Sequence, residues 1–70
     1  MFVMKVEKQM NIMGRTFLLG VPNFDKIPKT IYVKNFNLMV LGTSYGVKLP
    51  YVSLEVELTN IDLVGEVISG

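Results

Sequence analysis

The sequence predicts an all-β fold: a small, mostly antiparallel β-barrel of five to six short strands, formed by one domain over residues 1–70. The chain contains no alanine, while valine, isoleucine, threonine and aromatic residues are frequent. Such β-branched and aromatic side chains pack well on a pleated surface, whereas helices favour alanine and unbranched chains. No stretch of about twelve residues carries apolar positions at the i, i+3, i+4, i+7 spacing of an amphipathic helix. Short alternating runs punctuated by Gly, Pro, Asn and Asp take its place. With no crossover helix to cover a sheet, closure into a barrel is the arrangement that leaves no sticky edge strand.

Residues 2–6 predict the first strand, with Met4 and Val6 on one face and Val3 and Lys5 on the other. After the polar step Glu7-Lys8-Gln9, residues 10–13 continue or restart it. Gly14 interrupts, and the apolar strand resumes over 15–19; a glycine inside such a run predicts a bulge or a close backbone approach. The turn residues Pro22, Asn23 and Asp25 end that strand. Residues 30–36 alternate, with Ile31 and Val33 on one side and Tyr32, Lys34 and Phe36 on the other. A short apolar run over 38–41 ends in the loop signal Gly42-Thr-Ser-Tyr-Gly46, and 47–51, carrying Pro50, reads as an edge or a connection. Residues 52–58, "VSLEVEL", are a half-buried antiparallel strand with Val52, Leu54, Val56 and Leu58 inside. Residues 59–65 suit one helical turn capped by Gly65 in a left-handed conformation, and Val67-Ile68 closes the chain.

Ordering seventy residues costs on the order of 100 kcal/mol of conformational entropy, which so small a core barely offsets. No cysteine is present to add a disulfide or a thiolate metal site, yet half the residues are apolar. More apolar surface than one small core can absorb predicts self-association or a protein partner. No uncharged run is long enough for a spanning helix, and "MFVMKVEK" lacks a cationic leader and a cleavage site. The expectation is a cytoplasmic protein with no membrane partner. All seven basic residues fall within residues 1–48, whereas 49–70 hold Glu55, Glu57, Asp62 and Glu66 and no base. Either the halves pair and cancel, or a basic face forms near Lys26, Lys29, Lys34 and Lys48.

The inventory for catalysis is thin. With neither histidine nor cysteine, the commonest general base and thiol nucleophile are missing, and Ser44 has no base to activate it. The Glu55/Glu57 spacing is that of a solvated strand face. "GRT" at 14–16 fails as a phosphate-binding loop, because that motif needs a lysine after its second glycine and a further glycine where Gln9 stands. No enzyme activity, cofactor, metal or nucleotide is therefore expected. Tyr32, Lys34 and Phe36 pattern an aromatic–basic strand face of the kind on which single-stranded nucleic acid stacks; the same aromatics also suit a core.

The segment "VEKQMNIMGRTFLLG" resembles the opening of the second domain of elongation factor Tu-type translation GTPases. That domain begins with a Val-Glu pair, an apolar residue five positions after the Glu, Gly-Arg, an apolar strand and another Gly, matched here by Val6, Glu7, Ile12, Gly14, Arg15 and Gly20. "KIPKTIYV" keeps the family's apolar spacing at Ile27, Ile31 and Val33, with Pro28-Lys29 in place of Gly-Asp. "VSLEVELTNIDLVGEVI" is similar to its closing strand, turn, Gly and final apolar pair at Gly65, Val67 and Ile68. Residues 34–51 match no family motif, and the GTPase domain is absent. The resemblance implies a docking barrel that contacts RNA or a ribonucleoprotein. The expected contact residues are Arg15, Lys29, Tyr32, Lys34, Phe36 and Lys48, with Arg15 alternatively a cross-strand partner of Glu55 or Glu57. A homo-oligomer or another protein partner is the alternative expectation.

Overall fold

Alternation decides which side chains face inward. The computed structural model describes residues 1–44 and 50–70. It contains β1 (Val3–Ile12), β2 (Arg15–Pro22), β3 (Thr30–Val33), β4 (Phe36–Ser44), β5 (Val52–Val56) and β6 (Val67–Ser69), with no helix among the described residues. All pairings are antiparallel, and the sheet closes in the order β1-β2-β5-β4-β3-β6. The expected all-β barrel is the one observed, with six strands. Met4, Val6, Leu18, Ile31, Val33, Leu38, Ile68 and the three inward residues of β5 fill the interior, sealed by Phe2 at one end and by Leu63. Each such side chain contributes roughly 1.5–3 kcal/mol when fully buried.

Gly14 marks a turn, not a bulge. Met13 and Gly14 both take positive φ, 52° and 76°, and form the two-residue loop between the cross-strand partners Ile12 and Arg15. Positive φ at both positions is the primed turn whose twist matches paired strands. The bulge lies in β1, where the register against β2 shifts between Val6 and Lys8. The two segments expected over 2–6 and 10–13 therefore merge into one strand, β1, which runs from Val3 to Ile12 and leaves Met13 to the turn. Close backbone approach occurs at Gly20, the buried partner of Val6: a Cβ there would stand 2.2 Å from the Lys5 carbonyl oxygen. β2 continues through Pro22, three residues past its expected end at Leu19.

Residues 30–36 are likewise not a single strand. Val33 and Phe36 are cross-strand partners, and Lys34-Asn35 is the loop between them, with Lys34 at φ 50°. Ser44 ends β4 and does not lie in a loop. β5 stops at Val56, leaving Leu58 exposed. Of the predicted 47–51 segment, 47–49 lie outside the described residues.

The helical turn expected over 59–65 does not form, although Gly65 does adopt the left-handed conformation at φ 89°. The segment instead crosses the inward side of the β1–β2 hairpin as an irregular strap. Gln9 holds it at two points, donating from Nε2 to the Ile61 carbonyl (3.1 Å) and accepting at Oε1 from the Leu63 N–H (2.8 Å). Asn11 Nδ2 donates to the Thr59 carbonyl at 2.8 Å. The fully buried Thr16 hydroxyl accepts from the Thr59 N–H at 3.1 Å. Three polar side chains thus bond backbone groups of the strap that no ladder reaches.

Gly20→Ala is expected to lower the unfolding free energy by at least about 2 kcal/mol, since its methyl must displace backbone. Gly42→Ala should shift it by less than about 1 kcal/mol, because a Cβ there meets only Glu55 Oε1 at 3.9 Å. Urea denaturation of the two variants side by side checks the contrast.

Candidate functional site

The parity of β3 sends Ile31 and Val33 inward and leaves Tyr32 outside, 54% exposed. Tyr32 stands in a cross-strand row with Asn37 of β4 and Ser69 of β6, and Ser69 pairs onward with Val3. In the next row Lys5 lies between Val21 and Val67. Lys34, at the turn, reaches Glu66 Oε2 at 3.2 Å with most of its side chain in solvent. Tyr32, Lys34, Asn35, Phe36 and Asn37 line one shallow depression. The outer wall of β1–β6–β3 therefore presents an open aromatic ring among amides, a hydroxyl and two lysines.

The expected contact residues do not all gather there. Tyr32, Lys34 and Phe36 share the depression, but Phe36 has the inward parity of Leu38 and packs partly against the core. Lys29 is exposed just before β3 and lines a separate hollow with Lys26, Ile27 and Pro28, above Phe2. Arg15 lies on a third surface with Ile12, Met13 and Phe17, where its Nε is 3.7 Å from Glu55 Oε2. The cross-strand partnership expected for Arg15 is thus present. Lys48 falls outside the described residues. Lys5, Asn35, Asn37 and Ser69 were not singled out from the sequence, because what brings them to Tyr32 is long-range strand register.

Near the Lys29 hollow, Asp25 is engaged by the amino-terminal ammonium and by the Lys26 N–H. Those contacts, the ammonium first, hold its carboxyl below the ordinary value of 3.8. Lys26 and Lys29, like Lys5, form no ion pair among the described residues. Beside them Phe24 is exposed at φ 60°, its loop fixed by Asn23, which accepts from the Val3 and Asp25 N–H groups and donates to the Met1 carbonyl.

Among the described residues no cluster of three or more His, Cys, Asp or Glu side chains could hold a metal ion, and no helix is long and apolar enough to cross a membrane. In both ion pairs of the candidate residues, Arg15–Glu55 and Lys34–Glu66, the cation is mostly in solvent and the carboxylate partly buried. Arg15→Ala and Lys34→Ala are each expected to change stability by less than about 1 kcal/mol in urea denaturation, so neither variant should confound a binding assay. No protein-family model matches the chain, and no curated protein or solved structure is significantly similar to it.

Proposed function

We propose that this barrel is a non-enzymatic docking module that binds single-stranded RNA, alone or within a ribonucleoprotein, on the outer wall of β1–β6–β3. The observation that carries this reading is the exposed ring of Tyr32, set among Asn37, Ser69 and the Lys34 turn. A base stacks on Tyr32, the Asn35 and Asn37 amides reach its edges, and Lys5 and Lys34 take flanking phosphates. Stacking on an aromatic face with nearby amides and lysines is the usual grammar of single-strand recognition. Lys34 is mostly in solvent and its contact with the partly buried Glu66 is a single 3.2 Å ion pair, which leaves the ammonium free to turn toward a phosphate. The resemblance to the second domain of elongation factor Tu-type GTPases, a docking barrel in that family, supports the same reading. The centre of the proposed site is Tyr32 and Lys34, with Lys5 added; Arg15 and Lys29 lie on other surfaces.

The test is fluorescence anisotropy with a labelled single-stranded RNA of about ten nucleotides, titrated at several salt concentrations. Affinity is expected to fall steeply with salt, because bound phosphates release counterions. Tyr32→Ala should weaken binding about tenfold, within the range for loss of one stacked base. Lys5→Glu with Lys34→Glu should abolish binding. Absence of binding at low salt, or an unchanged affinity in a folded Tyr32→Ala variant, would sink the proposal.

A further inference from the structure

We infer that the outer wall of the β1–β2 hairpin is the docking surface for a second copy of this chain, related to the first by a two-fold axis. This inference is independent of the RNA reading, since it uses a different wall and different residues.

Three cross-strand rows build the surface. Lys8, Leu19, Ser53 and Ser44 form one, Met10, Phe17, Glu55 and Gly42 the next, and Ile12 with Arg15 the third, beside the hairpin tip. Met13 at that tip is 95% exposed and Ile12 50%. A primed turn favours Asn, Asp or Gly at the position Met13 occupies, yet a large, adaptable apolar side chain stands there, of the kind suited to irregular contact surfaces. Across the wall, Gly42 has no side chain, and a hollow of about 190 Å³ opens over it between Phe17, Thr43, Ser44, Ser53 and Glu55.

The wall therefore carries a projection and a hollow on opposite sides of Phe17. It also carries a cation at the projection, Arg15, and an anion at the hollow, Glu55, held only loosely together at 3.7 Å. A two-fold interface needs a surface that complements itself, so that residue i meets j and j meets i. Apposing two copies about an axis near Phe17 sends each Met13 into the other's hollow and each Arg15 toward the other's Glu55. Both shape and charge satisfy the same operation. The rows run over β1, β2, β5 and β4, four of the six strands of the closed barrel, so the contact centres on β2 and β5 and the wall curves away on either side.

Sedimentation equilibrium on the full chain tests this, with circular dichroism confirming that each variant is folded. The unmodified protein is expected to dimerise at micromolar concentration. Met13→Asn supplies a residue the turn prefers, and Gly42→Thr fills the hollow at a β-compatible position. Each should weaken dimerisation at least tenfold while leaving the fold intact, so loss of one variant to misfolding still leaves the other. Arg15→Glu and Glu55→Arg should each be monomeric alone and form a mixed dimer when combined, since only the mixed pair restores opposite charges across the axis. An unmodified protein that is monomeric at about 200 µM would overturn the proposal and leave the wall to a different partner. So would a dimer that Met13→Asn and Gly42→Thr leave unchanged.

Discussion

Three residues close this barrel. β6 is the short strip Val67–Ser69, yet it supplies the ladder that joins β1 to β3, through three pairs on one side and the single pair Tyr32–Ser69 on the other. Reciprocal backbone bonds between Phe2 and Gly70, both 3.0 Å, extend the β1 side of the seam. Without β6, the long edge of β1 and the short edge of β3 would both face water with unpaired donors and acceptors. The strap delivers β6 to its place: the Gly65 N–H reaches the Val6 carbonyl at 2.7 Å, and the Val6 N–H reaches the Glu66 carbonyl at 2.9 Å. Ile68, fully buried, is the only core side chain that β6 contributes. Core packing and the neighbours of Tyr32 both depend on this seam.

The parts of the fold legible in sequence are those where a local pattern has one physical meaning. "VSLEVEL" alternates so cleanly that β5 could face only one way, and Val52, Leu54 and Val56 are all fully buried. The 30–36 run misled because a two-residue loop reverses parity without breaking the alternation of residue types. Val33 and Phe36 are partners on the same inner face, so Phe36 parts company with Tyr32 and Lys34 although all three are even-numbered. Gly14 misled because a glycine between apolar runs signals a hairpin as readily as a bulge, and the Met before it is an uncommon turn residue. Of the strap only the left-handed Gly65 is legible; the segment is held by Gln9, Asn11 and Thr16, polar residues that nothing nearby in the chain distinguishes from solvent-facing ones. For the candidate site, the exposure of Tyr32 follows from strand parity alone. Its company of Asn37, Ser69 and, one row away, Lys5 follows only from which strands pair and in what register.

A barrel this small cannot enclose all its apolar residues, since half the chain is apolar. The excess is sorted outside by wall. The β1–β6–β3 side has small valines between lysines, a tyrosine, amides and a hydroxyl. The hairpin side has methionines, isoleucine, leucine and phenylalanine, with Lys8, Arg15 and Glu55 among them. Each wall alternates its own strands' outward residues, so one set of strands serves interior packing and two chemically different exteriors. The register shift of β1 at Glu7, beside the close backbone approach at Gly20, changes which β1 residues face out, from Val3 and Lys5 before it to Lys8, Met10 and Ile12 after it.

The seam also has a kinetic meaning. β1 and β6 are separated by almost the whole length of the chain, so their pairing closes a long loop and cannot nucleate folding cheaply. The β1–β2 hairpin, with its two-residue turn, forms on the microsecond scale, but the ring is complete only when β6 docks. Topologies dominated by such distant pairings fold in milliseconds to seconds. Any chain in which β6 has not docked leaves the edges of β1 and β3 unpaired and open to a strand from a neighbouring molecule, so delayed closure of this seam is the route by which the barrel would misassemble.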